Sequence, residues 1–177
     1  MKGGTGFSFV LNYNMVDEEM ISEQNGVYRT TKNSQEIDTI YLQNRIFVPV
    51  GKAFYEVLVN GSATFFLQNK SRYTTVGTEV GYGTKSQSVG PTAFRRFEIG
   101  SDVVTLDLPQ NVTVTPASVN WVRKNNKLEK FTSERQLLKI FPEQEARLKA
   151  FIKKEKPDMK VREDIIKLGT YYNELIK

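Results

Sequence analysis

A chain of 177 residues, 39% hydrophobic and 25% charged, is the size of one ordinary domain and can bury a real core without disulfides or metal. It contains no Cys and no His, which removes thiolate zinc sites, iron–sulfur clusters, thiol nucleophiles and the commonest general base. The formal charge of +5 is lopsided: residues 1–120 hold ten Lys and Arg against eleven Asp and Glu (net −1), and residues 121–177 fifteen against nine (net +6).

Met1-Lys2 runs straight into Gly3-Gly4-Thr5-Gly6 with no apolar stretch behind it, so no leader is read there. These glycines follow no strand and make no dinucleotide fingerprint. Gly6 to Asn12, with aromatics at spacing two, and Val27 to Thr30 are candidate strands. The clearest organisation follows. Glu36 to Leu42, Arg45 to Val50, Ala53 to Val59 and Ser62 to Gln68 read as four strands joined by Gln43-Asn44, Gly51-Lys52 and Asn60-Gly61. Turns this short join antiparallel neighbours, so a meander is predicted, with Asn60-Gly61 in a type I′ turn and Pro49 at a strand end or edge. Arg72 to Val76, Val103 to Leu106 and Val112 to Thr115 are further strands, with Pro109 and Pro116 as stops.

Gly77 to Pro91 is a polar, glycine-rich connection long enough to be a functional loop. Within it, Gly81-Tyr-Gly83-Thr-Lys85-Ser86 glances at a phosphate loop, but Thr84 and Glu79 stand where that pattern needs glycine. The loop is instead a candidate ligand-binding element, with Tyr73 and Tyr82 as stacking faces and Lys85 as a cation; the competing reading is a plain surface connection.

From Thr132 the apolar period turns helical. Ser133 with Gln136 fits a capping box before Leu137, Leu138 and Phe141, and Pro142 suits the first turn of a second helix carrying Leu148, Phe151 and Ile152. A third helix presents Ile165, Leu168, Tyr172, Leu175 and Ile176 on one stripe. Glu143–Arg147, Glu145–Lys149 and Glu163–Lys167 are at intrahelical pairing distance. No window reaches the apolar length of a transmembrane segment. The fold class is therefore α+β: an antiparallel meander, barrel-like or strongly curved, over residues 1–130. Two to three short helices over 131–177 form a basic tail, expected to dock on the β region as one unit.

Glu56 is the carboxylate to watch. Phe54, Glu56 and Leu58 share one strand face and Tyr55, Val57 and Val59 the other, so Glu56 is a candidate buried carboxylate. As a raised general acid it would support a carboxylate-dependent hydrolase with a second acid among Glu79, Glu98, Asp102 and Asp107. As an ion pair with Arg45 or Arg72 it would be structural, and that reading is preferred. Arg147, Lys149, Lys153, Lys154 and Arg162, with Lys156 and Lys160, form a basic patch that suits a nucleic-acid or acidic-polymer binder. The interleaved Glu143, Glu145, Glu155, Asp158, Glu163 and Asp164 favour a solvated face, and nucleic acid is disfavoured. Asn60, Asn69 and Asn111 head chance-level glycosylation triplets. No catalytic residue, metal ligand or cofactor is assigned.

Leu11-Asn-Tyr-Asn14, Arg45-Ile-Phe-Val-Pro-Val50 with Phe54-Tyr-Glu-Val-Leu58, and Phe141-Pro-Glu143 leading to Tyr171-Tyr-Asn173 occur in one order. Together they resemble an uncharacterised family of exported proteins common in Bacteroidetes, in which an aromatic-rich β region ends in a Phe-Pro…Tyr-Tyr-Asn helical tail. The resemblance implies a periplasmic, envelope-associated or secreted setting with a trimmed leader. Within it Asp38-Thr39-Ile40 would fit that group's short O-glycosylation pattern. It brings no activity and no catalytic residue. The function expected is a non-catalytic binding or structural module of the cell envelope, facing another envelope protein or a polysaccharide.

Overall fold

The computed structural model describes residues 6, 8, 10–30, 37–75, 79–80, 84–85, 103–104 and 112–177. In chain order the strands are β1 Val10–Asn14, β2 Glu19–Gln24, β3 Val27–Thr30, β4 Ile40–Leu42, β5 Arg45–Val50, β6 Ala53–Val59, β7 Thr64–Gln68 and β8 Ser71–Thr75. Then come β9 Glu79–Val80, β10 Thr84–Lys85, β11 Val103–Val104, β12 Val112–Pro116, β13 Val119–Lys124 and β14 Lys127–Phe131. Helices α1 Glu134–Ile140, α2 Glu145–Glu155 and α3 Arg162–Leu175 close the chain, with a 3₁₀ turn at Pro142–Gln144.

The main sheet is antiparallel and runs β14-β13-β7-β6-β5-β4. The predicted meander β4 to β7 is its right-hand part, each strand paired with the next. A barrel is not supported: among the described residues the sheet is open, with β4 and β14 as its edges. Pro49 lies inside β5, opposite Phe54, yet β4 pairs only as far as Phe47. Beyond Phe47 the strand is locally an edge among the described residues, so the missing N–H breaks no ladder there.

Hairpin turns distribute differently from the sequence expectation. Asn125 and Asn126, at φ 49° and 62°, join β13 to β14 between the paired Lys124 and Lys127, and Asn25-Gly26, at 54° and 75°, joins β2 to β3. These are the two-residue turns with both central φ positive. Asn60-Gly61 is not one, since neither residue has positive φ. Gly61 is small for another reason: a Cβ there would stand 2.6 Å from the Asn173 side chain. Asn173, in α3, accepts from Ala63 N (3.0 Å) and donates to Ala63 O (2.9 Å), so a helix side chain satisfies the backbone of the β6–β7 connection. Asn173→Ala would orphan a buried N–H and C=O together. It is expected to cost about 2 kcal/mol in urea unfolding, and a loss under 0.5 kcal/mol would mean water replaces the amide.

Strand alternation puts Phe47, Phe54, Glu56, Leu67, Phe65 and Val122 on one face of the main sheet. Two cores sit side by side on that face. In one, Met20 of the small β1-β2-β3-β11 sheet packs with Ile40, Phe47 and Phe54. In the other, Phe65, Val122 and Phe131 pack with Leu137, Phe141, Leu148, Ile152, Ile165, Leu168 and Tyr172 of the helices. Gly169 lets α3 close on the sheet, because a Cβ there would meet the Phe65 ring at 2.9 Å. The α1 cap is offset from the predicted box: Ser133 Oγ accepts from Gln136 N, but Gln136 Oε1 turns to Thr132 N (2.7 Å) and Thr132 Oγ1.

Candidate functional site

Glu56 lies at the seam between the two cores and is fully buried. The β5–β6 register sets it opposite Phe47, two residues along from Arg45. Oε2 accepts from Arg45 Nη2 and from Asn69 Nδ2 (3.1 Å), and Oε1 accepts from Arg162 Nε (2.8 Å) and Nη2 (2.7 Å). One carboxylate is therefore shared by two guanidiniums and an amide. Burial pushes its pKa up, but the hydrogen bonds from Arg45, Arg162 and Asn69 outweigh that and hold it below the ordinary carboxylate value. The bond to Glu56 in turn raises Arg45, whose guanidinium lies 5.2 Å over the Phe47 ring.

This arrangement suits holding elements together rather than moving protons. A general acid must keep its proton near neutral pH, which requires the opposite shift, and every Glu56 oxygen already accepts charged or amide donors. The acids named as possible second carboxylates, Glu79, Glu98, Asp102 and Asp107, have no described side chain. Among the described residues no group of acids could hold a metal ion. Of the two arginines expected as partners, Arg45 serves, while Arg72 is exposed on β8. Arg162, the first residue of α3, is the partner that sequence spacing does not reveal. Chain spacing groups it with the basic patch, but its side chain turns inward to Glu56.

A second polar junction ties the β1–β2 turn to the sheet. Glu18, at φ 59°, accepts from Gln68 Nε2 and Lys70 Nζ (3.5 Å), and Gln68 Oε1 accepts from Trp121 Nε1 (2.9 Å). Met15 O accepts from Ser71 N (2.8 Å) at the same place.

Beyond this junction the β7–β13 pair continues as β8–β12. Gln68 pairs with Val119 and Ser71 with Pro116, and Ala117 N donates to Lys70 O (2.7 Å), so the register carries through unbroken. On this ribbon Arg72, Thr74, Thr113, Val114, Thr115 and Pro116 are exposed, residues of both faces. Tyr73 sits in β8 opposite Val114, and Lys85 in β10 opposite Glu79. The side chains of both, and Tyr82 altogether, lie outside the described residues, as does most of the Gly77–Pro91 connection.

Arg147, Lys149, Lys153 and Lys154 are all exposed on α2. The acids of the tail divide: Glu155, Glu163 and Asp164 pair with the tail cations Lys154, Arg162 and Lys167, while Glu143 turns to the sheet. Glu143 engages Lys124 and accepts from Tyr172 Oη (3.3 Å); burial, and then the nearby Glu143 carboxylate, push that phenol up to about 12. Lys167 takes Asp164 (3.1 Å) rather than Glu163. An open groove of about 740 Å³ between α1 and α2 is lined by Arg135, Lys139 and Lys149 but also by Glu134 and Glu145. No described helix is long and apolar enough to cross a membrane. No family model, curated protein or solved structure matches the chain.

Proposed function

We propose that the chain is a non-catalytic binding or structural module of the bacterial cell envelope, with the β region as scaffold and the β8–β12 ribbon as its contact edge. The observation that carries this reading is the ribbon itself: a sheet extension whose register is continuous with the core but whose described side chains beyond Ser71 are exposed. Among the described residues no strand pairs with the outer side of β12, and an edge of that kind offers N–H and C=O groups to an added strand, with alternate side chains supplying specificity. The partner favoured is therefore another envelope protein, with a polysaccharide as the alternative. The envelope setting rests on the resemblance given above. Glu56 acts in this reading as a structural ion-pair centre, and no cofactor is involved.

The ladder's alternation provides a clean test. The bond from Ala117 N to Lys70 O makes that pair hydrogen-bonded, so Thr115 and Thr113 bond inward while Val114 directs its N–H to the open edge. Val114→Pro should then change stability by no more than about 1 kcal/mol while deleting an edge donor. A photo-reactive residue at Thr113, expressed in the source cell, should give a discrete adduct in the envelope fraction that Val114→Pro abolishes. Fractionation of the chain with cytoplasmic proteins, or an adduct indifferent to Val114→Pro, would sink the proposal.

A further inference from the structure

The exposed face of α2 has one sign. With 3.6 residues per turn, Lys149, Lys153, Ala146, Ala150, Lys154 and Arg147 follow one another around about 160° of the helix. All six are exposed, while Leu148 and Ile152 are buried on the opposite side. Glu145 borders the arc beside Lys149, and Glu155, the last residue of the helix, lies on the side of Leu148. Lys154 leans to Glu155 (3.3 Å), but Arg147, Lys149 and Lys153 form no ion pair with another described residue. Arg147 has no ion pair among the described residues, and Glu143, its expected intrahelical partner, is held by Lys124. Uncompensated charge is thus left on a convex ridge, with only alanine methyls between the cations.

We infer that this face of α2 docks on an anionic lipid surface, peripherally and through charge alone. Shape decides between polyanions. A plane touches only the outer arc, where every charged group is Lys or Arg. A nucleic-acid groove would wrap the flank beside Lys149 as well and bring its phosphates against Glu145. The arc has no aromatic ring on which unpaired bases could stack. It also has no large apolar side chain to insert, so attachment must be electrostatic, with each cation adding to it and salt weakening it. The groove between α1 and α2 is of mixed sign and meets this surface only at Lys149, on its edge. This inference concerns a different face from the ribbon, so either can fail without the other.

The test uses the full chain with vesicles of equimolar phosphatidylglycerol and phosphatidylcholine, read by co-sedimentation at low ionic strength. Binding is expected to these vesicles, not to phosphatidylcholine alone, and to fall steeply with added salt. The double variant Lys149→Glu, Lys153→Glu should weaken it by more than about a hundredfold, whereas Lys149→Arg, Lys153→Arg should keep it. If the charge reversal disturbs folding by circular dichroism, Lys149→Gln, Lys153→Gln replaces it, with a loss of about tenfold or more expected. Equal binding to neutral vesicles, indifference to these substitutions, or displacement by mixed-sequence duplex DNA at equal phosphate concentration would each overturn the inference.

Discussion

Glu56→Gln is expected to destabilise the fold by about 3 kcal/mol, because it leaves two guanidiniums facing a neutral amide in a buried site. The figure sits at the low end for a broken buried ion pair, since Arg45 and Arg162 are 35% and 33% exposed and can partly turn to water. The effect should depend on pH in a definite direction. The folded carboxyl has its pKa lowered, so its stabilisation is present above the unfolded value and is lost as pH falls through the folded one. Urea midpoints measured from neutral pH downward should therefore fall below the ordinary glutamate range in the parent more steeply than in Glu56→Gln, and the two curves should converge in acid. Parallel curves would show that Glu56 does not ionise differently on folding. Retained or increased stability would mean that the cluster is dispensable to the seam.

Phe65→Ala should cost more, about 4 kcal/mol. Phe65 is fully buried between β14, the α1–α2 junction and α3: its ring stacks on Phe141 (5.9 Å) and meets Phe131 and Tyr172 edge-on at 6.2 and 6.3 Å. It also fills the space that Gly169 leaves open. Truncation removes the aromatic contacts and leaves a cavity that a sheet strand on one side and a helix on the other cannot both collapse into. Phe65→Leu should lose far less. If urea unfolding of Phe65→Ala became two separate transitions, the helices would be docked more weakly than this packing implies; a single shifted transition is the expected result.

Much of the local structure was legible because it depends on near neighbours. The period-2 runs from Ile40 to Gln68 are strands paired in chain order, and the period-3.6 stripes Leu137-Leu138, Leu148-Ile152 and Ile165-Leu168-Tyr172 are the buried faces of helices. Elements whose local signals are weak are not legible in the same way. The β13–β14 hairpin is one: Lys, Arg and Glu interrupt its alternation, and its Asn125-Asn126 turn is a less familiar I′ pair than Asn-Gly. Asn60-Gly61 misled for the converse reason. The dipeptide's propensity is local, but the bulge in β6 and the Asn173 amide lodged beside Gly61 impose another path.

By itself the sequence determined the class of chain: α+β, without thiol or imidazole chemistry, with its positive charge gathered in the last third. It also determined that Glu56 would fall on an apolar strand face, because side chains alternate along a strand whatever it packs against. Only the tertiary structure decided what that carboxylate meets. Arg162 stands 106 positions away in the chain, and burial of a charge is tolerated only where folding brings such a partner to it. The same step took Arg162 out of the basic patch and Glu143 away from Arg147. Of the remaining cations of α2, Lys154 keeps Glu155, while Arg147, Lys149 and Lys153 face outward with no ion pair among the described residues.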